Sequence, residues 1–348
     1  VAESGAPPES GEPPPPGTQL AVDPLSDVLR TVRLTAATFF LIDASQPYCV
    51  DIPHTDHYRD ILLPGSRHMM SYHVITEGAG VASVPGGEPV AYREGDIVVF
   101  PQGDGYRMGT AHDTPPEFDY DGTMAFFREL ASGQLPFVIP EGGGGAPPTR
   151  VICGFLGCDA GPFNPLLLHL PRMLVIRREG GDDLIGRLVE LTLAEARGAS
   201  AGGGAGGASV RLGLAELMFV EAIRRHIALE GVSGGWLAGL ADPVTARALA
   251  ALHSEPARAW SLADLAEATA ASRTVLAERF AHHVGLAPMQ YLTQWRIQLA
   301  ARRLADGRAR IGEVAYEVGY ASEAAFSRAF KKATGLSPAA WRRGESGG

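Results

Sequence analysis

Residues 271–288 and 321–338 carry one pattern twice. The first copy reads ASRTVLAERFAHHVGLAP and the second ASEAAFSRAFKKATGLSP, with Ala, Ser, Phe, Gly, Leu and Pro at matching places. Each copy follows a short amphipathic segment, LADLAEATA at 262–270 or IGEVAYEVGY at 311–320. The spacing predicts two helix-turn-helix units. In each, the first helix packs through Leu262, Leu265 and Ala266, or through Ile311, Val314, Ala315 and Val318. The second buries Leu276 and Phe280, or Phe326 and Phe330, at i and i+4. Small Ala266 and Ala315 let the paired helices cross closely. This leaves Arg273, Thr274, Ala277 and Glu278 facing outward on one unit. On the other, Glu323, Ala324, Ser327, Arg328 and Lys331 face outward. A helix over 288–305, opened by Pro288 and ended by Gly307, places Tyr291, Leu292, Trp295, Leu299 and Leu304 on one side and acts as a rigid spacer. A unit used twice fits a partner that repeats. Double-stranded DNA is such a partner, because its major groove returns about every 34 Å.

Charge points the same way. Residues 240–348 hold 14 Lys+Arg against 10 Asp+Glu, while residues 1–239 hold 16 against 29. Both lysines of the chain, Lys331 and Lys332, lie inside the second repeat. A basic module on an acidic body is the charge layout of a nucleic-acid binder with a separate regulatory domain.

The 348 residues are enough for two domains with helical pieces between them. Residues 1–22 read as a disordered Pro/Gly/Glu leader without the basic start and apolar core of a secretory signal. No apolar run reaches the length needed to cross a bilayer, so a cytoplasmic protein with no membrane partner is expected. From 23 to 175 short apolar or alternating runs are split by Gly/Pro turns, the texture of an all-β barrel or sandwich, with 141–148 (EGGGGAPP) as a flexible loop. From 176 to 239 two helical patterns, 182–197 and 210–230, flank a Gly-rich linker, 198–209. They predict a hairpin that covers the barrel or pairs with a second subunit. From 240 to 343 about seven helices form an all-α domain, with its helix-turn-helix units at 262–284 and 311–334. Three cysteines are too few for a disulfide scaffold.

Residues 240–343 resemble the DNA-binding domain of the AraC/XylS family of transcription regulators. The segments that carry the resemblance are SLADLAEATAASRTVLAERF, GLAPMQYLTQWRIQLAARRL and IGEVAYEVGYASEAAFSRAFKKATGLSPAAWRR. The resemblance implies two units joined by one long helix, and promoter recognition as the activity. It places Glu323, Ser327 and Arg328 on the base-reading face of the second unit, with Arg328 suited to a bidentate contact to guanine. Lys331, Lys332, Arg342 and Arg343 then meet phosphate. Thr274, Ala277 and Glu278 hold the reading positions of the first unit. Glu278 stands where the family often has a basic residue; it can accept from cytosine N4, yet it repels phosphate.

Residues 23–175 resemble the cupin sensor domain found ahead of such DNA-binding domains, through SYHVITEGAGVASVPGGEPVAYREGDIVVFPQGDGYRM and TRVICGFLGCDAGPFNPLLLHLPRML. A metal-binding cupin has two His and one Glu in its first motif and one His in its second. This chain keeps His73 and Glu77, but Ser71 and Tyr106 stand where the other two histidines would be. Two ligands of four are too few for a closed metal site. The barrel therefore reads as a pocket that binds an effector or holds shape, with no cofactor, no metal and no catalytic residues. Cys153 and Cys158 leave three readings open: buried thiols, a disulfide redox sensor, or zinc ligands together with His73 or His68. His54 and His57 fit a solvated loop, and His282 and His283 fit a helix end.

The resulting expectation is a sequence-specific DNA-binding transcription regulator controlled by a small-molecule or redox signal sensed in the barrel. Its partners would be promoter DNA, an unknown small-molecule effector, a second copy of the chain and RNA polymerase. The alternative is a metal-dependent cupin enzyme with a helical accessory domain.

Overall fold

The computed structural model describes residues 23–32, 34–158, 161–178, 184–200, 206–229, 235–307 and 309–344. The expected leader, 1–22, lies outside the described residues. The described residues open with α1 (Pro24–Val32) and continue through β1 (Leu34–Gln46), β2 (Cys49–Ile52), α2 (Arg59–Leu62), β3 (His68–Glu77), β4 (Ala79–Ser83), β5 (Val90–Arg93), β6 (Ile97–Phe100) and β7 (Tyr106–Gly109). Then come α3 (Tyr120–Ala131), β8 (Val138–Gly142), β9 (Gly145–Cys158) and β10 (Leu174–Ile176). Two sheets result. One has the order β10-β6-β3-β9-β1-β8 and the other β2-β7-β4-β5. The β1/β8 pair is parallel and the remaining pairs are antiparallel.

The larger sheet is buried on both faces, and strand alternation divides its side chains between two cores. On β3, Met69 and Ile75 enter the core between the sheets, while Met70, Tyr72 and Val74 enter the outer core. On β9, Val151, Cys153 and Phe155 go inward, and Ile152, Leu156 and Cys158 go outward. Gly154 is required where the outer-face Tyr72 ring crosses it; an added Cβ would overlap that ring.

The outer core is covered by α4 (Leu184–Ser200) and α5 (Gly207–Leu229). Ile185, Leu188, Leu214, Met218, Phe219 and Ile223 lie against Tyr72, Ile97, Val99 and Leu156. The hairpin thus covers the barrel, the first of its two expected roles. Its Gly-rich connection is shorter than 198–209, because both helices run into it; residues 201–205 lie outside the described residues.

Two other expectations are corrected. α1 and α3 are helices inside a stretch read as wholly β. α3 is capped by Asp119, whose side chain accepts from Gly122 N–H at 2.9 Å, and it buries Thr123, Met124 and Phe127. Residues 141–148 are no loose loop: Glu141 and Gly142 end β8, and Gly145 already begins β9.

The C-terminal region is helical: α6 (Gly235–Ala241), α7 (Pro243–Ser254), α8 (Leu262–Ala268), α9 (Arg273–Val284), α10 (Pro288–Ala305), α11 (Ile311–Glu317), α12 (Glu323–Thr334) and α13 (Pro338–Arg342). Ser261 caps α8 in a capping box with Asp264, and Ser272 and Ser322 cap α9 and α12. α10 divides its buried residues between two cores. Tyr291, Leu292 and Trp295 join the core of the first unit and the barrel's outer face; Ile297, Ala300, Ala301 and Leu304 join Val314, Ala315, Phe326 and Phe330 of the second unit.

The turns inside the two units differ. Ala271 N–H bonds Ala266 C=O in the first, and Tyr320 N–H bonds Ala315 C=O in the second. That matches Ala270, at φ 52°, with Gly319, at φ 89°, and leaves Ala321 as an extra residue. A Cβ on Gly319 would lie 2.5 Å from the Ala257 carbonyl oxygen. Gly319→Ala should therefore cost about 1–3 kcal/mol. Ala270→Gly, which relieves a left-handed alanine, should change stability by less than about 1 kcal/mol. Calorimetric melting of the two variants beside the wild type checks the pair, and an unshifted transition for Gly319→Ala would refute the steric account.

Candidate nucleic-acid interface and barrel pocket

α9 and α12 are built alike. Each starts at a serine whose hydroxyl accepts a backbone N–H at 3.2 Å, from Val275 or from Ala325. Each buries one stripe: Leu276, Phe280 and Val284 on α9, Phe326 and Phe330 on α12. The stripe fixes which residues face solvent. Arg273, Thr274 and Glu278 are exposed with Ala277 half-buried between them. Glu323, Arg328, Lys331 and Lys332 are exposed, with Ser327 half-buried. All nine predicted positions thus lie on the open faces of these helices. Arg279, one residue beyond Glu278, is taken up otherwise: its guanidinium pairs with Asp242, the N-cap of α7, and so ties α9 to α7.

The barrel pocket lies between the sheets, with α3 along one side. It is a cavity of about 50 Å³, room for roughly three or four waters. Its walls are largely aromatic: Phe40, Phe118, Phe126, Phe127, Phe155 and Tyr106. His73 and Cys153 face it from adjacent strands, where they are direct cross-strand partners. The His73 Nδ1 lies 3.2 Å from Cys153 Sγ, and its Nε2 lies 2.9 Å from the Tyr106 hydroxyl. Burial pulls the His73 pKa down to about 3, so the ring is neutral and each of its nitrogens has a partner. Burial likewise pushes the Cys153 thiol up, away from reactive thiolate. Tyr106, stacked on Phe100 at 3.9 Å, occupies with its hydroxyl the side of His73 that a metal would need.

Glu77 is not in this pocket. A bulge inserts Thr76 between Ile75 and Glu77, so Glu77 pairs with Arg150 on the outer side of the sheet, and Arg150 also reaches Asp43 at 3.2 Å. Cys158 is absent too. Five residues along one strand from Cys153, it emerges on the opposite face, in the outer core. A Cys153–Cys158 disulfide is therefore ruled out in this fold, since the strand itself separates the thiols. His68 shares the Cys158 register, away from His73, and bonds Pro101 C=O at 2.7 Å. The zinc reading fails for the same reason; among the described residues no group of three His, Cys, Asp or Glu is placed to hold a metal ion.

Sequence reasoning missed one polar wall of the pocket. Glu141 is 9% exposed, and its Oε2 meets no hydrogen-bond partner among the described residues. Burial first, and the charge of Glu117 second, raise its pKa to about 7. The signal was alternation: Ile139 and Glu141 are the two inward residues of β8. It was hidden by the glycine run that follows.

His73 and Glu141 act oppositely on stability. The native state keeps His73 neutral, so its contribution is complete above about pH 6.5 and is lost as pH falls toward 3. The native state holds a proton on Glu141 that the unfolded chain releases, so stability is lost as pH rises from 4.5 to about 7. Glu141→Gln should remove the second loss and flatten the melting temperature across that window. An unchanged slope would show that Glu141 titrates as an ordinary carboxylate.

The family model described as a cupin matches residues 23–228, and the one described as a helix-turn-helix domain matches residues 265–344. The chain is 52% identical over 132 residues to a protein of Streptomyces lividans named as an AraC-like transcription regulator; the match covers 37% of this chain and 43% of that one. It is 30% identical over 255 residues to an HTH-type transcriptional regulator of Haemophilus influenzae, covering 73% of this chain and 80% of the relative. It is 24% identical over 281 residues to the RCS-specific HTH-type transcriptional activator RclR of Escherichia coli, covering 80% and 86%. Among the described residues no helix is long and apolar enough to cross a membrane. With the cupin match spanning more than half of its length and a paired helix-turn-helix region behind it, the chain belongs to the AraC/XylS family of transcription regulators, with an N-terminal cupin domain.

Proposed function

We propose that this chain is a sequence-specific DNA-binding regulator whose barrel pocket receives a small-molecule effector. The observation that carries the DNA-binding part is the matched exposure of α9 and α12. Both present polar or charged side chains outward while their apolar stripes are fixed in separate cores that share α10. At 18 residues α10 spans about 27 Å, a stiff spacer between two readers. Arg328 reads a base edge and Lys331 and Lys332 hold phosphate, while Thr274, Ala277 and Glu278 face the duplex in the first unit beside Arg273. Promoter DNA is thus the macromolecular partner, and RNA polymerase is met at that promoter.

A second copy is the further partner. Leu184 and Leu191 on α4, and Val210 and Leu217 on α5, are exposed, each pair seven residues apart and so on one side of its helix. The hairpin buries one face on the sheet and offers this apolar one to its twin. Effector control rather than control by a Cys153–Cys158 redox pair is favoured, because those two thiols point into different cores. An enzyme reading is disfavoured by the displacement of Glu77 and the capping of His73 by Tyr106.

Footprinting on the chain's own upstream region tests the reading. Arg328→Ala should cost about 1–3 kcal/mol and relax selection at one base pair. Lys331→Ala should weaken all sequences alike and lower the salt slope by about 1. Undiminished, equally selective binding by Arg328→Ala would remove that residue from the reading face. For the pairing surface, Leu191→Glu combined with Leu217→Glu should convert a sedimenting dimer to monomer. A wild type that sediments as a monomer at every concentration would end the dimer assignment.

A further inference from the structure

Resting on the reading of the barrel as an effector pocket, we infer that its ligand is a small hydrophobic ammonium ion, held by the Glu141 carboxylate inside an aromatic box. The pocket's polar atoms are few, and most are already satisfied. His73, Cys153 and Tyr106 bond one another. Asp51, at the rim, faces Arg107 at 3.7 Å. Glu141 is different: it is 9% exposed, it lines the cavity, and its Oε2 has no partner among the described residues. A buried polar atom left unpaired is costly, so a group that brings a hydrogen-bond donor to it gains what the folded chain forgoes.

The remaining walls choose among donors. Phe40, Phe118, Phe126, Phe127 and Phe155 surround the same space. Aromatic faces attract a cation through their quadrupole, and they exclude water that would otherwise compete for it. They give a neutral alcohol only apolar contact. A carboxylate ligand would meet Glu141, with Glu117 behind it, as a like charge. Glu117 is itself engaged, accepting from Gly142 N–H at 3.0 Å, and so stays beside Glu141 as a second negative group. The cavity volume, about 50 Å³, admits the ammonium head and the short alkyl stem that carries it. Phe118, 39% exposed, stands where the apolar body would leave the pocket.

The test uses the full chain at pH 8, where Glu141 is ionised, and three probes of matched shape: 3-phenylpropylammonium, 3-phenylpropanol and 3-phenylpropionate, titrated by calorimetry. The ammonium should bind about tenfold or more tightly than the alcohol, and the carboxylate most weakly. In Glu141→Gln the ammonium and the alcohol should converge to within about twofold. The wild-type ranking needs no variant and so stands even if Glu141→Gln misfolds. Equal binding of all three, or a preference for the carboxylate, overturns the ligand class while leaving the pocket as an effector site. No binding by any probe, together with unchanged DNA affinity when Thr123→Trp fills the cavity, overturns the effector reading itself and this inference with it.

Discussion

The structure depends on the burial of one helix by two sets of neighbours. Residues 291–295 of α10 sit in a core that is continuous with the outer face of the barrel, and residues 297–304 sit in the core of the second helix-turn-helix unit. Trp295, Tyr291 and Leu304 are each essentially inaccessible to solvent. Fully burying a side chain of this kind contributes about 1.5–3 kcal/mol, so neither half of α10 can turn its buried face to water cheaply. The two units are thus set by a single rigid element. The polar residues outside its stripe are free to be chosen for other reasons.

The same logic runs through the larger sheet. Because both faces are covered over Met69–Ile75 of β3 and Val151–Cys158 of β9, each residue there is committed to one side or the other by its parity. That parity places His73 and Cys153 in the pocket and sends Cys158 to the other side. It also explains why a single bulge matters so much: one extra residue at Thr76 is enough to move Glu77 from the pocket side to the outer side. A motif that in other cupins supplies neighbouring ligands is here split between two environments.

Much of the fold was legible in the chain, and what was not has physical causes. Helices α9 and α12 announced themselves because each carries a serine cap, an i,i+4 apolar pair and a glycine at its end, three signals that agree. The strands of the sheet were visible as apolar runs, but their registers were not, since pairing is decided by distant partners. α3 was missed although Asp119 is a proper cap and Thr123, Met124 and Phe127 follow helical spacing; Gly122 and neighbouring aromatics blurred the period. Glu141 was missed because a glycine run masked the last inward position of β8. The outward residues of α9 and α12 were readable for the opposite reason: once an amphipathic helix is buried on one side, its remaining side follows from geometry.

The interface between α10 and the barrel is more than an apolar contact, and its polar part has a direction. Trp236 donates its indole N–H to the Tyr291 hydroxyl at 3.1 Å, and Tyr291 lies 2.7 Å from His253 Nε2. His253 Nδ1 lies 2.7 Å from the Asp27 carboxylate of α1. Burial lowers the His253 pKa against the opposing pull of Asp27, so a neutral ring accepts from Tyr291 and donates to Asp27. Nearby, Gln298, buried on α10, accepts the Phe163 N–H at 2.9 Å, and the Phe163 ring stands edge-on to Tyr291. An apolar face alone tolerates sliding, because one methyl group serves nearly as well as another. A buried chain of donors and acceptors does not, because a shift of an ångström leaves partners unpaired at a cost of about 1–3 kcal/mol each. The stretch that holds Phe163 follows β9, whose inner face forms a wall of the pocket and whose outer face enters the core shared with α10. In a close-packed interior, β9 cannot move without disturbing one face or the other. The strand between the barrel pocket and α10 is therefore the element through which a change in the first has a physical route to the second.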